Sequence, residues 1–133
     1  MSAPRYPGGM FALTRQRVVL GALVLAFVVA LPGVAQGNQT VVMQSNKYAP
    51  RDVNVRVGDT VTWMNNDGVG HSVTADDGSF DSHPDCGMLA GRCLERGERF
   101  THPFTKAGRV PYFCRVHGGR GGQGMTGTVT VTD

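Results

Sequence analysis

The stretch Val53–Asn65, VNVRVGDTVTWMN, decides how this chain is to be read. Val53, Val55 and Val57 alternate with polar residues, Gly58-Asp59 supplies a turn signal, and Val61, Trp63 and Asn65 resume the same period of two. Apolar residues at every second position line one face of a pleated strand, whereas a helix needs them three and four apart. The segment therefore predicts two half-buried strands separated by a turn.

The same signature recurs on either side. Thr126–Thr132 reads TGTVTVT, alternating and β-branched, and further strands are expected over Thr40–Lys47, His71–Ala75, Arg99–Thr105 and Val110–Cys114. Turn-forming clusters, such as Asn65–Gly70 and Asp76–Gly78, fall between them. Asp81–Arg96 is the least regular part, either a short helix or loop, and no segment after Gln36 has helical apolar spacing of useful length. About seven or eight short strands in roughly 100 residues define an all-β chain folded as a β-sandwich.

The first third is different. Arg15 and Arg17 precede Val18–Ala35, VVLGALVLAFVVALPGVA, which carries no charge. A basic flank, an apolar run broken by Pro32, and small residues at Gly33 and Ala35 read as a secretory signal peptide over 1–35, with a retained membrane anchor as the alternative. A single domain then occupies 36–133 and is expected in the periplasm or outside the cell. The 13 Lys/Arg exceed the 10 Asp/Glu only because Arg5, Arg15 and Arg17 lie ahead of Gln36. The domain itself is near neutral and has no basic run interleaved with aromatics, which excludes nucleic acid as a partner.

Near the C-terminus the chain reads YFCRVHGGRGGQGM, Tyr112–Met125. Gly119-x-Gly121-x-x-Gly124 matches a dinucleotide-binding fingerprint, but that motif needs a helix after it, and here a strand pattern follows. The same stretch holds Cys114-x-x-His117, with Met125 eight residues beyond, and His71 opens an earlier expected strand. Two imidazoles, a thiolate and a weak thioether form the ligand set of a mononuclear electron-transfer copper site. Soft sulfur suits Cu(I), and imidazole suits both oxidation states.

From Val53 to Val131 the chain resembles the plastocyanin/azurin family of blue copper proteins, the cupredoxins. VRVGDTVTWMNND, HSVT, GERFTHPFTKAGRVPYFC and CRVHGGRGGQGMTGTVTV carry the likeness, in that order. The resemblance implies a Greek-key sandwich binding one copper ion, with His71 on one loop and Cys114, His117 and Met125 on the next. It also implies a monomer without enzymatic turnover, passing single electrons between redox protein partners of cytochrome or oxidase/reductase type. Two departures stand out. The span from His117 to Met125 is longer than in plastocyanin itself, closer to bacterial and archaeal plastocyanin-like members, and leaves Gln123 as an alternative axial donor. Ser72 stands where many relatives have Asn.

Cys86 and Cys93 remain. In an oxidising compartment they are expected to form a local disulfide, leaving Cys114 free for metal. A second metal site from His83, Cys86, Met88 and Cys93 is the alternative, although its spacing matches no zinc signature. For function, the competing readings are a copper domain of an oxidase or nitrite-reductase-like system and a periplasmic copper-trafficking protein. The first needs further ligand sets, and the second favours Met- or Cys-rich clusters.

Overall fold

The computed structural model describes residues 1–4, 8–9 and 37–133; the expected signal segment lies outside the described residues. Eight strands form two four-stranded sheets. The strands are β1 (Gln39–Gln44), β2 (Lys47–Ala49), β3 (Asp52–Arg56), β4 (Thr60–Asn65), β5 (Thr74–Ala75), β6 (Arg99–Pro103), β7 (Gly108–Gly119) and β8 (Gln123–Thr132). One sheet runs β2-β1-β4-β6 and the other β3-β8-β7-β5. The turn after Val53–Val57 does not make a hairpin: β3 and β4 belong to different sheets, and the chain crosses the sandwich between them. Asp59 closes that crossing, its carboxylate accepting from Arg56 N at 2.8 Å while Gly58 adopts φ 97°.

Alternation dictates which faces meet. Val53 and Val55 of β3, Val61 and Trp63 of β4, and Val129 and Val131 of β8 are all buried and join one core cluster with Val41, Met43 and Tyr112. Trp63 is fully buried and bridges the sheets, its ring centroid 5.3 Å from Tyr112 in an edge-on arrangement and within 5.8 Å of Phe80 and Phe100. Such aromatic pairs add to the area they bury.

Two expectations change, and one open alternative is decided in favour of loop. Thr40–Lys47 is not one strand, because Ser45 and Asn46, at φ 53° and 55°, turn the chain back into β2. Two successive residues with positive φ give the turn that matches the twist of a hairpin. His71–Ala75 is a regular strand only at Thr74–Ala75, since the Ser72 and Val73 amides donate to the Cys114 and Ser82 side chains rather than to a neighbouring strand. Asp81–Arg96 contains no helix and is held by turns and by isolated bridges from Leu94 to His71 and from Asp81 to Thr74.

Replacing Trp63 with Ala removes its aromatic contact with Tyr112 across the sandwich and leaves a cavity between the sheets. Such a truncation costs about 3–5 kcal/mol, and equilibrium denaturation in urea should show a loss in that range; a loss below ~1 kcal/mol would contradict this account of the core.

Candidate metal centre

The site grows out of a register slip between β7 and β8. Phe113 pairs with Thr126 and Gly118 with Gly124, so the four residues Cys114–His117 stand opposite Met125 alone. Such an insertion bends a strand out of its ladder and re-aims its side chains. The resemblance implies a loop for these residues, beyond an expected strand that ends at Cys114; in the structure they lie on two paired strands, β7 and β8, whose hairpin turns at Arg120–Gly122.

Glycine makes the slip possible. A Cβ on Gly118 would stand 2.5 Å from Met125 O, and one on Gly124 would stand 2.3 Å from His117 O. The backbones approach too closely for any side chain there. Gly119, by contrast, faces open space.

The bulge brings Cys114 and His117 up to His71, whose backbone is bridged to Leu94. The Cys114 Sγ lies 3.7 Å from His71 Nδ1 and 3.6 Å from His117 Nδ1, and the two Nδ1 atoms are 3.1 Å apart. First-row metals bond imidazole nitrogen at ~2.0 Å and thiolate at ~2.3 Å. Three ligands around one ion therefore stand roughly 3.5 Å from one another, and these donor atoms fit a single metal. Among the described residues, His71, Cys114 and His117 form the one group of three or more Cys, His, Asp or Glu donors that converges in this way. His71 and Cys114 are fully buried, while His117 is half-buried and opens onto a shallow depression lined by Val116, Gly118, Gly119, Gln123 and Gly124.

The surroundings prepare the donors. Burial by itself would raise the Cys114 thiol, but hydrogen bonds from His71 and from the backbone of Ser72, His117 and Val116 outweigh it and bring the pKa down to about 6. Near neutral pH the group is thus a thiolate, the form that binds metal. For His71, burial favours the neutral ring, yet hydrogen bonding to Cys114 and Asp67 raises its pKa overall.

Three supporting residues surround the donors, of which Asp67 and Arg115 were not legible in the sequence as site residues. Asp67 Oδ2 lies 3.2 Å from His71 Nε2 and also accepts from Asn46 N at 3.0 Å. A carboxylate on the outer nitrogen fixes the tautomer and turns Nδ1 toward the metal. The only available signal was an acid four residues before the histidine in a polar loop. Arg115, inside the bulge, binds Asp81 through Nε at 2.9 Å, and Asp81 in turn accepts from Thr74 Oγ1 at 3.1 Å. Ser72, where the departure from Asn suggested a weaker part in steadying the ligand loops, links both ligand segments. Its amide donates to Cys114 Sγ at 3.4 Å, its hydroxyl accepts from Arg115 N at 2.9 Å, and its carbonyl accepts from Tyr48 Oη at 2.6 Å.

Met125 is buried, on β8, within the core cluster, whereas Gln123 is exposed. Cys86 and Cys93 form a disulfide, which consumes both thiols and removes the alternative of a second metal site. Cys114 is the remaining free cysteine.

A β-sandwich that presents two imidazoles and one thiolate at metal-ligand separations defines a mononuclear metal protein suited to copper. Residues 35–132 match the copper-binding plastocyanin/azurin family, and the chain belongs to that family. Plastocyanin of Scenedesmus fuscus is 35% identical over 86 residues, covering 63% of this chain and 85% of that one. Amicyanin of Paracoccus denitrificans is 32% identical over 84 residues, covering 63% of this chain and 61% of its own length. Coverage falls to 57% of the chloroplastic plastocyanin of Tetradesmus obliquus. A purple cupredoxin from Nitrosopumilus maritimus superposes with a TM-score of 0.53 at 27% identity, covering 71% of this chain and 99% of that one. A reduced amicyanin variant gives 0.52 at 31%, covering 74% and 86%.

Replacing Asp67 with Ala frees the His71 ring, and outer partners of this kind are worth about 10–100-fold in metal affinity. Competition with a copper chelator should show that loss; unchanged affinity would mean that the carboxylate has no orienting role.

Proposed function

We propose that this protein is a blue copper carrier of single electrons, exported and exchanging electrons with redox protein partners. The observation that carries the reading is the convergence of His71 Nδ1, Cys114 Sγ and His117 Nδ1 in a family of copper-binding proteins. Bound copper supplies a one-electron couple. The chain supplies a buried, pre-arranged donor set that changes little between oxidation states. Its relatives, plastocyanins and an amicyanin, are carriers rather than enzymes. The domain likeness to a nitrite reductase from Thermus scotoductus, 26% identical with a TM-score of 0.56, covers only 22% of that protein. One complete donor set favours the carrier over a reductase.

Met125 is the proposed fourth, axial ligand. Its place opposite the Cys114–His117 bulge and its burial support this, while Gln123 points into the exposed stretch of the hairpin. His117 is the proposed electron exit, since His71 has no exposed surface. The rim beside it is low: Gly118, Gly119 and Gly124 line it with Gln123 and Val116, which is 47% exposed, and a Cβ on Gly119 would meet nothing within 4 Å. Residues 1–35 are proposed as the export signal and 36–133 as the carrier domain, which acts as a monomer.

The copper-loaded protein should show an intense thiolate-to-copper absorption in the visible range. Cys114→Ser should abolish it, Met125→Ala should change its shape and the reduction potential, and Gln123→Ala should leave both as they are. A colourless copper-loaded protein would refute the carrier reading.

Gly119→Phe places a bulky group at the exit without steric conflict inside the fold. Electron exchange with a small protein partner, followed by stopped-flow, should slow while the absorption spectrum stays the same. Gly122 is unsuitable for this test because its φ of 84° disfavours any side chain.

A further inference from the structure

We propose that the Cys86–Cys93 disulfide is a positioning element of the metal centre, holding the wall against which the His71 donor is set. This rests on the copper reading above. Leu94 follows Cys93 directly and exchanges both backbone hydrogen bonds with His71, Leu94 N to His71 O at 2.8 Å and His71 N to Leu94 O at 3.1 Å. Gly70, just before the ligand, packs on the disulfide itself: a Cβ there would stand 2.9 Å from Cys93 Cβ and 3.6 Å from Cys93 Sγ. Asn65 Nδ2 completes the junction, donating to Leu94 O and to Val69 O at 2.8 Å each.

The other end of the disulfide loop meets the second ligand segment. A Cβ on Gly87, next to Cys86, would stand 3.5 Å from Val116 Cγ2 and 3.9 Å from Arg115 O. One small covalent loop thus adjoins both the His71 segment and the Cys114–His117 bulge.

The loop has little else to keep it in place. Between its cysteines the backbone makes local turns, Met88 N to Asp85 O and Gly91 N to Met88 O at 2.9 Å, Arg92 N donates to Asp85 Oδ2 at 3.3 Å, and the exposed Arg92 side chain pairs with Glu98. Met88 and Leu89 are 63% and 102% exposed and bring no packing to it. The segment it supports is equally short of regular structure, for the His71–Leu94 bridge lies outside any strand. The His71–Leu94 segment is buried, with Leu94 in the core, but the disulfide loop that leads into it has few buried apolar contacts and no ladder, and segments of that kind open locally at low cost. Cross-linking Cys86 to Cys93 removes that freedom from the wall and, through Leu94 and Gly70, from His71. A donor fixed before metal arrives loses less entropy on binding.

The test compares the whole protein with Cys86→Ser/Cys93→Ser and with Gly70→Ala, which keeps the disulfide but forces Cys93 away from the ligand segment. Circular dichroism reports the fold, competition with a chelator the affinity for Cu(I) and Zn(II), and the visible and EPR spectra the geometry around Cu(II). Both variants should stay folded, bind metal about 10–100-fold more weakly and show an altered Cu(II) spectrum, which a mere staple of loop stability would leave unmoved. A folded disulfide-free protein with the wild-type spectrum overturns the proposal. If the double variant does not fold, Gly70→Ala decides alone, and a wild-type spectrum there overturns it. Wild-type protein that binds Zn(II) but gives no thiolate-copper absorption refutes the carrier reading and leaves the clamp to be judged by zinc affinity; failure to bind either metal refutes both.

Discussion

The structure depends on one constraint, the slip in pairing between β7 and β8 that sets four residues against one. The ladder is regular from Gly108–Val131 to Phe113–Thr126 and resumes at Gly118–Gly124. Between those points the chain must leave the ladder and return to it, and in doing so it aims Cys114 and His117 at the same spot. The return requires backbones so close that neither Gly118 nor Gly124 could carry a Cβ. Gly118 and Gly124, two of the five glycines between His117 and Met125, thus form a close-packed joint. Their conformational entropy cost on folding is offset by pairing on both sides of the bulge.

Around this joint, polar groups are used to align rather than to stabilise in bulk. A buried thiolate and two imidazoles are costly unless each finds partners. Ser72 serves the thiolate and the bulge at once, and Tyr48 holds the Ser72 carbonyl from the opposite sheet. Asp67 and Arg115–Asp81 fix the two ligand segments from outside. The donors therefore stand at metal-ligand separations as a property of the protein's own hydrogen bonds. A site of this kind resists rearrangement when its ion changes charge, which is what rapid one-electron transfer requires.

The asymmetry of the site follows from the same layout. His71 sits under the Leu94 wall and is wholly enclosed, while His117 lies at the end of the bulge, where the glycine hairpin leaves the surface low. On the proposed reading, burial of one imidazole secures the metal and partial exposure of the other gives access to it. Both outcomes come from where the chain leaves and rejoins the β7–β8 ladder.

Much of this was legible in the sequence because it is local. Period-two alternation in Val53–Asn65 and Thr126–Thr132 identified the strands, and in Val53–Asn65 their buried face, although in β8 Thr126 and Thr128 are buried as well as the valines. Cys114-x-x-His117 pointed to the candidate donors by chemical type and spacing. The glycine turn at Gly58 and the irregular character of Asp81–Arg96 could be read in the same way. What stayed hidden involves partners far apart in the chain. Ser45–Asn46 turns with non-glycine residues, so no strong signal marks the break between β1 and β2. His71–Ser72 follows a strand pattern, but its partners are Leu94 and the Cys114 sulfur. Asp67, Ser72 and Arg115 have ordinary identities and gain their roles only from what they touch. The sequence by itself determined the fold class and named the candidate donors, because alternation and ligand type are properties of neighbouring residues. Only the tertiary structure decided how those donors are aimed and held, because register and hydrogen-bond pairing depend on which distant backbones meet.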